Sequence, residues 1–109
     1  MSTPEVKVKD KVKKLLKANN AYYCLPVTGG FGASGVPDII ACYRGFFIGI
    51  ECKAGKNVPT ALQKKNLQDI VNAGGGVAVI NEDNVEDVDI LLRAFDRALV
   101  NLKKLGEKK

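Results

Sequence analysis

Apolar residues recur at helical spacing near the start of the chain. Four of them share one side of a helix: Val8, Val12, Leu15 and Leu16. Thr3 supplies a hydroxyl N-cap, Pro4 suits the first helical position, and Glu5 places an acid in the first turn. The pattern therefore predicts a helix from about Pro4 to Ala18. Glu5 also continues the inward-facing stripe by one position, although a favourable charge at the helix N-terminus explains it equally well.

The middle of the chain changes to the alternating pattern of β-strands. Residues 22–27 predict a first strand, and residues 37–43 and 46–53 predict a β-hairpin around Arg44-Gly45. One face of this hairpin collects an almost wholly apolar set: Ile39, Ala41, Tyr43, Phe46, Ile48, Ile50 and Cys52. Residues 28–35 contain four glycines and predict a loop. A phosphate-binding P-loop is disfavoured, because no Gly-Lys-Ser/Thr follows and the chain continues into a strand.

Helical spacing returns in the second half of the chain. Thr60 and Gln63 match a capping box that opens a second helix, which ends at the glycines 74–76. Residues 77–80 are wholly apolar and predict a strand buried on both faces. A last amphipathic helix is predicted over about residues 84–105, with these residues on one side: Val88, Leu91, Leu92, Phe95, Leu99 and Leu102. The order α-β-β-β-α-β-α indicates an α/β fold, and the length of 109 residues indicates a single domain over 1–109.

Composition narrows the chemistry. The chain has no histidine, which excludes histidine-based triads, histidine-ligated zinc and nucleases with a histidine base. Its three cysteines form no CxxC pair, so neither a disulfide framework nor a zinc site is indicated, and a reducing compartment is favoured. No segment has the roughly 20 apolar residues of a membrane span, and the start lacks the apolar core of a signal peptide. These features predict a cytoplasmic protein.

Charge is unevenly distributed along the chain. The net charge is +5, but residues 1–65 carry 11 basic and 4 acidic side chains, whereas residues 66–109 carry 6 and 8. Six of the lysines lie within residues 7–17. Such a field suits a polyanion such as nucleic acid, and a solvated lysine-rich helix face fits the same pattern.

The hairpin register brings candidate catalytic residues together. A two-residue turn at Arg44-Gly45 places Asp38 directly opposite Glu51, and the period of two puts Lys53 on the same face. Opposed like charges destabilise a sheet, and a divalent cation would resolve the conflict. Mg²⁺ or Mn²⁺ prefers hard oxygen ligands, here the two carboxylates and the backbone carbonyl of Cys52. The alternative is an ordinary ion pair of Lys53 with an acid and no metal.

Several of these motifs occur in one order along the chain. Gly35-Val36-Pro37-Asp38 precedes an apolar strand, Ile50-Glu51-Cys52-Lys53 ends the next, and Thr60-x-x-Gln63 opens a helix. Over about residues 4–81 this order resembles the PD-(D/E)XK nuclease superfamily. Within it, the chain resembles the viral replication and repair nuclease (VRR-NUC) family in its small stand-alone form. That resemblance implies a mixed central sheet flanked by helices, with an additional C-terminal helix.

The resemblance also implies roles for individual residues. Asp38 and Glu51 would be metal-binding acids, Lys53 the catalytic lysine, and Gln63 a glutamine close to the site. Glu5 matches the first-helix acid that serves many members as a further metal ligand. A loop serine of related junction resolvases would correspond to Ser34. Three lysines flank the expected site and are candidate phosphate contacts, with solvation as the alternative: Lys56, Lys64 and Lys65.

The function implied is a Mg²⁺- or Mn²⁺-dependent DNA endonuclease. Similarity to Holliday-junction resolvases favours a homodimer that cuts branched DNA in a bacterial or phage-infected cell, with no small-molecule cofactor and no membrane partner. Nucleases acting on flaps or single strands are alternatives of the same class. A non-catalytic nucleic-acid-binding module, in which the acids and lysine form only ion pairs, is an alternative of a different class.

Overall fold

The computed structural model describes residues 3–27 and 35–107, so Ser34 lies outside the described residues. Three helices and four strands follow one another in the order that the sequence predicts. Their bounds are α1 Pro4–Ala18, β1 Tyr22–Cys24, β2 Ile39–Tyr43, β3 Phe46–Cys52, α2 Ala61–Asn72, β4 Gly76–Ile80 and α3 Asp87–Glu107. Within the described residues, no helix is both long enough and apolar enough to cross a bilayer.

The strands form one mixed sheet in the order β1-β2-β3-β4. The first three strands are antiparallel neighbours, and β4 runs parallel to β3. Between β2 and β3, Arg44 and Gly45 have positive φ angles of 50° and 91°, the signature of a two-residue type I′ turn. This turn sets the register that pairs Ile39 with Ile50, as the alternation predicts.

The hydrophobic core lies between one face of the sheet and the helices α1 and α3. The two helices contribute Val8, Val12 and Leu16 from α1 and Val88 and Leu92 from α3. The strands contribute Ile39, Ala41 and Tyr43 from β2, Ile48, Ile50 and Cys52 from β3, and Ile80 from β4. Phe46 is half-buried and stacks on Phe95 of α3, with ring centroids 4.3 Å apart. The hydroxyl of Tyr43 donates to Asp96 Oδ1 at 2.8 Å and thereby ties the hairpin to α3.

Helix α2 covers part of the opposite face. A Cβ added to Gly49 would lie 2.6 Å from the side chain of Ile70 in α2. The absence of a side chain at this position therefore lets α2 approach the sheet closely. Because Glu51 is two residues further along β3, it points to this same face, away from the main core.

Three sequence expectations need correction. The first strand ends at Cys24 instead of residue 27. β4 is not buried on both faces, because it is the last strand of the sheet and Val79 keeps 39% of its surface exposed. The last helix begins at Asp87 instead of residue 84, since the Asn84 side chain accepts the backbone N–H of Asn81 and shapes a turn.

The apolar stripe of α3 is also shorter than its sequence suggests. Val88 and Leu92 are fully buried, and Leu91 packs against the core. Leu102 is 59% exposed, because α3 continues past the edge of the sheet. Its final turns therefore do not cover this sheet.

Candidate active site

Asp38 and Glu51 lie at one end of the sheet, where β2 begins and β3 ends. Asp38 directly precedes β2, and its Oδ2 accepts the backbone N–H of Cys52 at 2.8 Å. This bond anchors the Asp38 carboxylate to the end of β3. The register that pairs Ile39 with Ile50 would, one position further, set Asp38 against Glu51, and the Asp38 carboxyl acts on Glu51.

The segment before Asp38 is fixed by its contact with α2. Gly35 has a φ of +79°, and a Cβ there would lie 2.9 Å from backbone atoms of Leu62 in the first turn of α2. A side chain would therefore both strain the backbone and collide with the helix. Pro37 follows and is buried against Gly49. The segment that leads to Asp38 is consequently packed against α2 and β3.

Glu51 is the buried acid of the site. Only 1% of its surface is exposed. Its Oε1 accepts from Gln63 Nε2 at 3.4 Å, whereas its Oε2 is buried without a hydrogen-bond partner. Burial, and then the neighbouring Asp38 carboxyl, raise the pKa of Glu51 to about 8, against an opposing effect of Lys53 and a small further increase from Glu5. Without a cation, this acid is held in an environment that disfavours its charged form.

Gln63 reaches the site because it also caps α2. Thr60 Oγ1 accepts the backbone N–H of Gln63 at 3.2 Å, and Gln63 Oε1 accepts the backbone N–H of Thr60 at 2.8 Å. The capping box predicted from sequence is therefore formed. It occupies the amide oxygen and directs the amide nitrogen of the same side chain toward Glu51. Capping and contact with the buried acid are compatible roles.

Helix α1 contributes a cation that sequence reasoning did not single out. Lys9 Nζ lies 3.6 Å from Asp38 Oδ1, with both side chains partly exposed. Glu5 is one turn earlier on the same helix, is half-buried, and acts electrostatically on Glu51. The spacing of four residues between Glu5 and Lys9 was the available signal, but it is hidden among the six lysines of residues 7–17.

The oxygen atoms of the site suit Mg²⁺ or Mn²⁺ better than a softer metal. The thiol of Cys52 is buried in the hydrophobic core, and burial raises its pKa to about 12. Asp38, Glu51 and the Cys52 carbonyl remain as candidate donors, and the unpartnered Glu51 Oε2 fits a cation. In residues 3–27 and 35–107 no three Asp, Glu or Cys side chains already form a metal-binding group. Mg²⁺ tolerates such a site because it keeps several waters.

The remaining lysines differ in position. Lys53 is the first residue after β3, is half-buried, and donates its backbone N–H to Ile80 O at 2.9 Å. Lys56 and Lys64 are exposed, in the loop before α2 and in its first turns. Lys65 is exposed and pairs with Asp69 at 2.9 Å. Among the described residues, no ion pair joins Lys56, Lys64 or Lys65 to Asp38 or Glu51.

The fold is thus a mixed four-stranded sheet with helices on both faces, and Asp38 and Glu51 lie where β2 begins and β3 ends. The structure is similar to a solved structure described as a VRR_NUC domain, with a TM-score of 0.67 and 22% sequence identity. The similarity covers 84% of this chain and 97% of that one. No protein-family model and no curated protein matches the chain. The likeness confirms the fold that the sequence resemblance implies.

Proposed function

We propose that this protein is a Mg²⁺- or Mn²⁺-dependent DNA endonuclease that hydrolyses phosphodiester bonds. The observation that carries the proposal is Glu51, a carboxylate that is 1% exposed, has one oxygen without a hydrogen-bond partner, and lies beside a second acid. A fully buried acid is rare unless it is paired or binds a metal. The likeness to a VRR_NUC domain supports the same reading.

A cation between the two acids would offset the repulsion between them. Asp38 and Glu51 would hold it through their side chains and Cys52 through its carbonyl, with Glu5 as a further ligand. Bound there, Mg²⁺ or Mn²⁺ would polarise a phosphate and make a coordinated water easier to deprotonate. Lys9, which now neutralises Asp38, would then be free to contact phosphate.

Two side chains supply the remaining chemistry. Lys53 is an ammonium on the same face as Glu51, where it would neutralise the charge that builds on the phosphate as the water attacks. Gln63 would orient Glu51 through its amide nitrogen. Gln63 is therefore a positioning residue, and its position is itself fixed by the capping box with Thr60.

Branched, Holliday-junction-like DNA is the substrate we propose, with a homodimer as the active form. Symmetrical resolution of a four-way junction requires two cuts, whereas one chain offers one acid pair, so a two-fold dimer suits the task. The exposed apolar end of α3, which includes Leu102 and Leu105, is a candidate contact between subunits. Lys56, Lys64 and Lys65 would contact phosphates next to the site.

A cleavage panel tests the proposal. Four-way junctions, flaps, duplexes and single strands are incubated with the protein in Mg²⁺, Mn²⁺ or chelator. We expect metal-dependent cleavage, fastest on the junction, that is lost in Glu51→Gln and Lys53→Ala. Lys7→Ala, which removes an exposed lysine of α1, is the matched control and should keep full activity. Undiminished cleavage in both site variants would exclude these residues from the mechanism.

The same material tests the alternative of a binding module without catalysis. That alternative requires DNA binding but no cleavage in any divalent metal, and no heat of Mn²⁺ binding by calorimetry. Our proposal requires Mn²⁺ binding by the wild type that is weakened in Asp38→Asn. Circular dichroism of each variant shows whether its fold is retained.

A further inference from the structure

Four ionisable side chains follow one another along α1 at intervals of four residues. They are Glu5, Lys9, Lys13 and Lys17. Successive members advance by about 6 Å along the helix axis and remain on adjacent parts of its surface. The row runs beside the buried stripe, and its first three members are half-buried.

One end of this row lies at the acid pair. Lys9 Nζ is 3.6 Å from Asp38 Oδ1, and Glu5 acts electrostatically on Glu51. A phosphate at the proposed site of cleavage would therefore meet Lys9 first. The next two lysines lead away from the site along the helix.

The other end of the row opens into a surface cavity. The cavity has a volume of about 330 Å³ and is lined by Asp10, Lys13, Lys14, Lys17 and Tyr23. Three ammonium groups face one carboxylate there, so the cavity carries a net positive charge. Its acid, Asp10, pairs with Lys13 at 3.1 Å on the surface of the helix. Such exposed pairs contribute little stability, so Lys13 can exchange Asp10 for a phosphate.

We propose that Lys9, Lys13 and Lys17 form a track for one strand of DNA that leads away from the cleaved bond. The cavity beside Tyr23 would receive the far end of this strand. The inference rests on the proposed nuclease function and adds to it the path of the substrate. From Lys9 to Lys17 the track measures about 12 Å, which is roughly the axial length of three to four base-pair steps of B-form DNA.

A solvated lysine-rich face would not distinguish one side of α1 from the other. Lys7 and Lys11 lie on the opposite side of the helix from Lys9 and Lys13, two residues before each, and both are exposed. Substitutions of Lys7 and Lys11 are therefore matched controls, because they lie on the same helix and each removes one positive charge, as the substitutions in the track do. Of these five lysines of α1, only Lys9, Lys13 and Lys17 are expected to contact phosphates directly.

The salt dependence of DNA binding distinguishes the track lysines Lys13 and Lys17 from the control lysines Lys7 and Lys11. A fluorescent junction is titrated in chelator, where cleavage is excluded, with wild type, Lys13→Ala/Lys17→Ala and Lys7→Ala/Lys11→Ala. Affinity falls as salt rises, and each lost phosphate contact makes the slope of log K against log salt shallower by about 0.9. For Lys13→Ala/Lys17→Ala we expect the magnitude of this slope to decrease by about 2 and binding to weaken at least about tenfold. For Lys7→Ala/Lys11→Ala we expect the slope to change by less than about 1. Equal effects in both variants would overturn the track.

Two further measurements add independent evidence. Asp10→Ala should tighten DNA binding, because it frees Lys13 and removes a repulsive charge; unchanged or weaker binding contradicts the track. Shortening one arm of the DNA to about three base pairs should abolish the difference between Lys13→Ala/Lys17→Ala and wild type, since the arm no longer reaches the cavity. A difference that persists with every arm shortened would also contradict it.

The outcomes distinguish this inference from the proposed function. If cleavage is absent in every metal but the track and control variants differ in slope, the track stands and the nuclease proposal fails. If cleavage occurs and both double variants bind alike, the nuclease proposal stands and the track fails. Thermal unfolding of both double variants shows that a loss of binding is not a loss of fold.

Discussion

Lys9 Nζ lies 3.6 Å from Asp38 Oδ1, so a lysine of α1 neutralises one of the two acids at the end of the sheet. The other oxygen of Asp38 accepts the backbone N–H of Cys52. Both carboxylate oxygens are therefore engaged by groups of the protein. A metal that binds Asp38 must compete with the ammonium of Lys9.

Replacing Lys9 should therefore strengthen metal binding. In Lys9→Met the competing charge is absent, and we expect Mn²⁺ to bind about 2- to 10-fold more tightly, which corresponds to about 0.4–1.4 kcal/mol for a partly exposed pair. Calorimetry on Lys9→Met and on Lys7→Met measures the effect, and the second variant should match the wild type. Weaker Mn²⁺ binding in Lys9→Met would show that Lys9 positions Asp38 instead of competing for it.

The pKa of Glu51 predicts a stability that falls as the pH rises. Its folded pKa of about 8 exceeds the ordinary value of 4.5, so between these values the folded protein holds more protons than the unfolded chain. The contribution of Glu51 to the stability is fully present below about pH 4.5 and is lost as the pH rises toward about 8. At about 1.4 kcal/mol per pKa unit the loss is at most about 5 kcal/mol.

Glu51→Gln tests this directly because glutamine does not ionise. In chelator at pH 8.5 we expect its Tm to exceed that of the wild type by at least about 5 °C, and at pH 5 the two should nearly coincide. Added Mn²⁺ should stabilise the wild type at the higher pH and leave Glu51→Gln unchanged. A Tm difference that is constant across this range would show that Glu51 does not carry the effect.

Local signals predicted much of the fold and part of the site. The turn at Arg44-Gly45 and the alternation around it were enough to place Asp38 opposite Glu51. Thr60 and Gln63 were enough to predict the start of α2. In both cases the interacting residues are neighbours in sequence or are joined by a two-residue turn.

Contacts between distant elements were not predictable in this way. Lys9 and Asp38 meet because α1 packs across the sheet, and nothing in the local pattern distinguishes Lys9 from the other lysines of α1. The exposure of Val79 depends on β4 being the last strand and on the limited reach of α2. The bond between Tyr43 and Asp96 likewise depends on how α3 crosses the hairpin.

Gln63 should affect activity separately from its role in the capping box. Gln63→Ala and Thr60→Ala each break the box and should each cost roughly 1 kcal/mol of stability. Thr60→Ala removes the hydroxyl of the box but keeps the backbone N–H that holds Gln63 Oε1, whereas Gln63→Ala removes the contact with Glu51. We therefore expect kcat to fall in Gln63→Ala and to stay close to wild type in Thr60→Ala. Denaturant unfolding and single-turnover cleavage measure the two effects. An equal fall in kcat in both variants would show that kcat depends on the N-terminus of α2 and not on the contact between Gln63 and Glu51.

The exposed end of α3 predicts how two subunits associate. Leu102 and Leu105 are 59% and 60% exposed and lie three residues apart, so they form a small apolar surface beyond the sheet. If this surface is the subunit contact, the wild type sediments as a dimer and Leu102→Lys/Leu105→Lys as a monomer with an unchanged Tm at low concentration. The monomer should nick a junction on one strand without coordinated cutting of the second. A dimer that persists in this variant would place the contact elsewhere, and a wild type that sediments as a monomer would contradict the dimer itself.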